Sequence, residues 1–124
     1  LSLLDTSDDP LRPEGLGFAA GFVSPEEERA LIAHIAALPL QPFRFHGFEG
    51  KRRTASFGLH YRFDGSGALE PAAPMPDWLL PLKQRAAAFA GVEPAALVHA
   101  LIIEYAPGAG IGWHRDRPVF GDVV

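Results

Sequence analysis

The stretch LVHALIIEYAPGAGIGWHRD, residues 97–116, decides the fold. Its first nine residues, 97–105, are apolar on both faces of an extended chain. That pattern predicts a central strand that is covered on both sides. A Pro-Gly turn follows, and residues 111–116 predict a further strand. The two segments together indicate neighbouring strands of a β-sheet.

Two polar side chains lie on one face of the second predicted strand. Side chains at i and i+2 point the same way, about 6.5–7 Å apart, so His114 and Asp116 face together while Trp113 and Arg115 face away. An imidazole nitrogen and a carboxylate oxygen can bind one metal ion. Two histidines and one carboxylate form the facial triad of non-heme Fe(II) oxygenases, so a third ligand is needed from elsewhere. Taken alone, His-x-Asp is more typical of polar surface residues.

Three neighbouring features favour a site. The pair follows an apolar strand and a Pro-Gly turn, and Gly108, Gly110 and Gly112 leave room for a small ligand to approach the backbone. Tyr105, on the preceding strand, could be brought beside the site by hairpin pairing. Four other histidines are candidates for the third ligand, although no motif supports any of them: His34, His46, His60 and His99.

The segment upstream, residues 43–64, is predicted to be β-rich and is basic. Aromatic and β-branched residues alternate with polar ones and glycines intervene, which predicts two or three strands with turns. It holds five basic residues against the single acid Glu49: Arg44, Lys51, Arg52, Arg53 and Arg62. This basic island could bind phosphate, or it could be the solvated face of a hairpin.

Two helices are predicted between these segments and the N-terminus. In FVSPEEERALIAHIAALP, Ser24 and Glu27 form a capping box and Pro25 suits the first turn. A second helix, WLLPLKQRAAAFA, is expected to be capped by Asp77 and to end at Gly91. Residues 1–17 predict an N-terminal arm, and ALEPAAPMP predicts an extended loop.

The composition limits the classes of protein to which the chain can belong. The 124 residues, 48% of them hydrophobic, allow one domain with a core. Without cysteine there is no disulfide framework and no thiolate metal site. The net charge of −4 does not attract nucleic acid by bulk electrostatics. No apolar run approaches a membrane span, so we expect no membrane contact. We also expect a monomeric, cytoplasmic protein.

The quoted stretch resembles a known family. EYAPGAGIGWHRD is similar to the signature of AlkB-type 2-oxoglutarate/Fe(II) dioxygenases, RRTASFGLHYRFD to their nucleotide-recognition lid, and APMPDWLLPLKQRAAAFAG to their Pro-rich loop and helix. The resemblance implies an α+β fold, a double-stranded β-helix (jelly roll) with two supporting helices. Residues 1–124 would form one AlkB-like domain, with the lid at 43–64 and the start of the metal-binding β core at 97–124.

The resemblance also implies roles. His114 and Asp116 would be catalytic ligands of Fe(II), and Tyr105 would hydrogen-bond 2-oxoglutarate. Arg53, Phe57 and Tyr61 fall in the substrate lid. The implied reaction uses dioxygen to remove alkyl groups oxidatively from the bases of DNA or RNA, as in nucleic acid repair, and a methyl group would leave as formaldehyde.

Three departures from the family pattern leave other functions open. Ile103 stands where many members have an asparagine that contacts 2-oxoglutarate, and Pro118 where repair enzymes have an acid. The family's distal histidine ligand and 2-oxoglutarate arginine would fall beyond Val124, so we expect further strands there. The alternatives are the same chemistry on a methylated protein or small molecule, and a non-enzymatic β-rich binding module.

Overall fold

The computed structural model describes most of the chain: residues 13–45, 48–61, 66, 68–112, 114 and 123–124, with only the strand backbone at 43–45 and 48–50. The chain divides into two compact units, Leu1–Ala37 and Leu38–Val124. Among the described residues, no helix combines the length and the apolar character needed to cross a membrane.

The first unit contains helix α1, Pro25–Ala36, and the predicted capping box is confirmed. The Glu27 N–H donates to Ser24 Oγ at 3.1 Å, and the Ser24 N–H donates to Glu27 Oε1 at 3.2 Å. These bonds satisfy two N–H groups that a helix start otherwise leaves unpaired. Pro25 lies in the first turn, as predicted. The helix ends at Ala36, before Pro39, which has no N–H to continue it.

The second unit is built on antiparallel strands. Strands β1 (Gln41–Phe45), β2 (Phe48–Phe57) and β5 (Ala100–Tyr105) form a sheet in the order β1-β2-β5. Strands β3 (Leu59–Tyr61) and β4 (Leu69–Pro71) form a separate two-stranded sheet. The strands predicted within residues 43–64 are therefore present. Both sheets are open in the described part of the chain, so the fold is mixed α/β with antiparallel sheets.

The prediction of a covered central strand at residues 97–105 is wrong for the described structure. Strand β5 begins only at Ala100 and borders β2, which is the middle strand. Burial alternates along β5, and Leu101, Ile103 and Tyr105 are 48%, 37% and 44% exposed. The residues of the other face, Ala100, Ile102 and Glu104, are only half-buried. The continuous apolar run at residues 97–105 therefore does not correspond to a strand that is covered on both faces in the described structure.

The strand predicted at residues 111–116 is also absent where the structure describes the chain. Ile111, Gly112 and His114 belong to no strand, while Trp113 and residues 115–122 lie outside the described residues. A strand needs a paired neighbour, and Gly110 and Gly112 weaken an extended segment that lacks one. The Pro-Gly turn before it is confirmed: the Ala109 N–H donates to the Ala106 carbonyl at 2.9 Å, and Gly108 has φ +83°.

Gly58 connects the two sheets. Its φ of +80° lies in the left-handed region, and its N–H donates to the Ala73 carbonyl at 2.7 Å. The Ala72 N–H in turn donates to the Gly58 carbonyl at 3.1 Å. A Cβ at this position would overlap the carbonyl oxygen of Val98. Only glycine combines that φ with so close a backbone approach.

The buried core lies around the second helix. A 3₁₀ turn at Asp77–Leu79 leads into α2, Leu80–Ala90, which ends at Gly91 with φ +72°, as predicted. The predicted Asp77 cap is wrong: no side-chain capping bond forms, because Asp77 already lies inside the 3₁₀ turn. The described core side chains under about one-tenth exposed are Leu40, Phe57, Leu79 and Ala87.

Candidate active site

The side chain of His114 is exposed and contacts the backbone of Gly112. Its Nδ1 lies 2.9 Å from the carbonyl oxygen of Gly112. A carbonyl oxygen only accepts, so Nδ1 carries the proton in this contact, and the lone pair of the neutral ring lies on Nε2. Histidine ligands to metals are commonly oriented in this way. The contact therefore fits a histidine that offers Nε2 to a metal ion.

The partner predicted for His114 is Asp116, which lies outside the described residues. That the two side chains share a face is predicted from strand parity, and the structure shows no strand at Ile111, Gly112 or His114. Within the described residues, no three His, Cys, Asp or Glu side chains gather into a metal-binding group. The assignment of His114 and Asp116 as iron ligands rests on residue type, sequence spacing and the His114–Gly112 contact.

Tyr105 lies at the end of β5, directly before the turn that leads to His114. In the antiparallel register its cross-strand neighbour is Arg52, and Ile103 is paired with Thr54. The guanidinium carbon of Arg52 lies 6.0 Å from the centroid of the Tyr105 ring, within the range of a cation–π interaction. The sequence predicts Tyr105 as a site residue but does not identify Arg52 as its neighbour, because it does not give the register of the strands.

Arg53 lies on the opposite face of the sheet and is bound to Glu104. Its Nε donates to Glu104 Oε1 at 2.7 Å, and one terminal nitrogen lies 2.6 Å from the same oxygen. The two side chains are 52% and 43% exposed, and they are cross-strand neighbours. The resemblance places Arg53 in the substrate lid, but the sequence does not identify Glu104, whose charge offsets that of Arg53.

The two aromatic residues predicted for the lid have different surroundings. Phe57 is 9% exposed, and its ring meets Trp78 edge-on at a centroid distance of 6.4 Å and an angle of 87°. That geometry is favourable for aromatic pairs and gives Phe57 a packing role. Tyr61, the last residue of β3, is half-buried and pairs with Leu69 of β4.

Two further histidines lie near the junction of the sheets. His60 Nδ1 lies 3.4 Å from Ser56 Oγ. The pKa of His99 is lowered from its ordinary value, first because burial disfavours the charged ring and second because of neighbouring His60. A lowered pKa keeps His99 neutral near pH 7, which suits a packed histidine.

Comparisons with known proteins identify the family of the chain. A family model described as the 2OG-Fe(II) oxygenase superfamily matches residues 15–122. The protein named "Probable RNA/DNA demethylase ALKBH6" from Danio rerio is 30% identical over 112 residues, which cover 90% of this chain and 45% of that protein. The chain thus spans less than half the length of this curated relative. No solved structure gives a significant match.

Proposed function

Because the chain belongs to the 2OG-Fe(II) oxygenase superfamily, we propose that the protein removes alkyl groups oxidatively from nucleic-acid bases. Fe(II) and 2-oxoglutarate are the cofactors of that superfamily. The family match is the observation that carries the proposal, since it includes both His114 and Asp116. The resemblance to AlkB-type dioxygenases is confirmed by this match together with the zebrafish relative. The nucleic-acid substrate is supported by the printed name of that relative alone.

Each site residue would have a different role in such a reaction. His114 and Asp116 would hold the iron, which when bound supplies the oxidising chemistry with 2-oxoglutarate and dioxygen. The contact between His114 and Gly112 fits this role, because it directs Nδ1 to the backbone, as the second nitrogen of a metal-binding histidine commonly is. Tyr105 would donate a hydrogen bond from its hydroxyl group to a 2-oxoglutarate carboxylate and thereby orient it. Gly108, Gly110 and Gly112 leave space around the turn for the cosubstrate, since a Cβ built on each meets no atom of the described residues within 4 Å.

The substrate side would be formed by β2 and β3. A base must leave its stack to reach the iron, and an aromatic ring can stack on it. Tyr61 is better placed for that contact than Phe57, which is buried against Trp78. Phe57 would then support the lid from within the core. Arg53 is half-exposed, and it would bind phosphate only if part of its ion pair with Glu104 were broken.

For the whole protein we propose a jelly roll, the fold class in which two sheets enclose the metal site. Residues 1–124 would contribute part of this single domain. The face of β5 that carries Tyr105 is exposed, and it would be part of the inner face of one sheet. In the whole protein, the apolar side chains of β5 that are exposed here would then be buried in a larger core.

A protein or small-molecule substrate is the second candidate. Two observations favour it: the net charge of −4, and the neutralisation of Arg53 by Glu104, which reduces the phosphate-binding potential of the basic island. A salt-dependent affinity for nucleic acid would be weak in such a protein.

The substrate class can be tested with matched oligonucleotides. The protein with Fe(II), 2-oxoglutarate and dioxygen is incubated with an N-methylated oligonucleotide or its unmethylated twin, and formaldehyde and succinate are measured. We expect formaldehyde only with the methylated strand and only with intact His114. Turnover of 2-oxoglutarate that neither oligonucleotide stimulates would favour the second candidate. Failure to consume 2-oxoglutarate under any condition would favour a non-enzymatic module.

A further inference from the structure

The two-stranded sheet of β3 and β4 is held at one end by the residues that flank it. Gly58 directly precedes β3, while Ala72 and Ala73 directly follow β4. The Gly58 N–H donates to the Ala73 carbonyl at 2.7 Å, and the Ala72 N–H donates to the Gly58 carbonyl at 3.1 Å. Phe57, the last residue of β2, is paired with Ala73 in a parallel bridge. The entry and the exit of this small sheet are therefore bound to each other and to the end of β2.

An aromatic contact links this junction to the second helix. The buried ring of Phe57 meets the ring of Trp78 edge-on, at a centroid distance of 6.4 Å and an angle of 87°. Trp78 lies in the 3₁₀ turn that leads into α2, and the next residue, Leu79, is 7% exposed. Aromatic pairs of this geometry favour one mutual orientation. Trp78 thus connects the end of β2 to an element that is anchored in the core.

The position of Tyr61 depends on this junction. Strands β3 and β4 have three residues each, and a two-stranded sheet of that size is only marginally stable by itself. Tyr61 is the third residue after Gly58, which places it about 10 Å from the junction along an extended strand. A rotation of about 10° at Gly58 would therefore move Tyr61 by about 2 Å. A displacement of that size is enough to spoil the alignment of a bound substrate.

We propose that Trp78 is a positioning residue for the substrate. Through its contact with Phe57 it sets the direction in which β3 leaves the junction, and thereby the place of the Tyr61 ring. This inference rests on the proposed function, in which Tyr61 stacks on the base. It gives a role in substrate binding to the segment between β4 and α2, although Trp78 acts through other residues and not on the substrate itself.

The test measures the binding of a methylated oligonucleotide by fluorescence anisotropy, with 2-oxoglutarate and with Mn(II) in place of Fe(II) so that no turnover occurs. W78L removes the aromatic contact but keeps an apolar side chain, while W78F keeps a ring. W78L is also combined with Y61A to form a double-mutant cycle. The affinity of each variant for 2-oxoglutarate is measured by calorimetry with Mn(II), and a urea midpoint establishes that it is folded.

The expected result is a selective loss in W78L. Its affinity for the methylated oligonucleotide should fall roughly two- to tenfold, the factor that corresponds to the strength of an edge-on aromatic pair, while its affinity for 2-oxoglutarate stays unchanged. W78F should bind like the unchanged protein, because its ring can still contact Phe57. In the Y61A background, W78L should cause no further loss, because Trp78 acts through Tyr61. If W78L does not fold, F57L breaks the same contact from the other side and should give the same pattern.

Other results overturn the inference. W78L that binds the oligonucleotide as tightly as the unchanged protein would exclude a positioning role. A loss of equal size with and without Tyr61 would show that Trp78 acts independently of that ring. An equal loss of oligonucleotide and 2-oxoglutarate affinity would show a general disturbance of the fold instead of a change in the position of Tyr61. These three outcomes leave the proposed function standing, whereas an unchanged protein that binds no oligonucleotide would contradict the proposed substrate and this inference together.

Discussion

Replacing Gly58 with alanine should destabilise the second unit more than any other glycine-to-alanine change for which the structure gives the surroundings. Two effects add at this position. A non-glycine residue in the left-handed region costs about 1–2 kcal/mol, and the φ of Gly58 is +80°. The new Cβ would also overlap the Val98 carbonyl oxygen, which forces a backbone shift. Overpacking of that kind costs about 1–3 kcal/mol, so the total is roughly 2–5 kcal/mol.

Gly91 provides the matched control. Its φ of +72° gives nearly the same backbone strain, but a Cβ there meets no atom within 4 Å. Alanine also lowers the entropy of the unfolded chain by a similar amount at both positions, so that effect cancels in the comparison. The difference between G58A and G91A therefore measures the overlap with Val98 and should be about 1–3 kcal/mol.

The assay is urea unfolding of both variants and the unchanged protein. With a slope of about 1–3 kcal/mol per molar urea, the midpoint of G58A should lie about 1 M below that of G91A. Equal midpoints would refute the reasoning, because they would show that the chain does not approach Gly58 as closely as the structure indicates. The junction between β2 and β3, which places His60 and Tyr61, would then need a different geometry.

Three further predictions concern local interactions. S24A should lose about 1 kcal/mol in the free energy of unfolding of α1, measured by helix melting; an unchanged curve would contradict the capping role. In a double-mutant cycle, R53Q and E104Q should show a coupling of about 0.2–1 kcal/mol, since the pair is half-exposed; additive effects would mean that the ion pair contributes nothing. The pKa of His99 is lowered in the folded protein, so as the pH falls the unfolded chain takes up a proton before the folded protein does. The contribution of His99 to stability is therefore full above about pH 6.5 and is lost as the pH falls through the lowered folded-state pKa. Urea midpoints measured from pH 8 to 5 should therefore fall, and H99Q should flatten part of that fall.

Features set by neighbours in the sequence could be predicted from the sequence. The capping box of α1 depends on Ser24 and Glu27, three residues apart, and both bonds form as predicted. The end of α2 at Gly91 and the Pro-Gly turn after Tyr105 are also local features, since each depends on the φ of a glycine. Family membership followed from ordered motifs, which need no knowledge of three-dimensional contacts.

Features set by strand pairing could not be predicted. The contacts of Arg52 with Tyr105 and of Arg53 with Glu104 join residues 51 or more positions apart, and only the register reveals them. The position of β5 at the edge of the sheet, as far as the structure describes the chain, depends in the same way on which strands surround it. Asp77 failed as a cap for a smaller reason, because a 3₁₀ turn precedes α2 and changes which residue begins the helix.

The central claim is that His114 and Asp116 hold an iron ion to which 2-oxoglutarate binds. The most direct measurement adds Fe(II) and then 2-oxoglutarate to the protein without oxygen and records the visible absorption spectrum. The account predicts a charge-transfer band that is absent in H114A and D116A. The band should persist in H34A, which removes an exposed histidine of α1. A band that survives in H114A, or no band in the unchanged protein, would contradict the account.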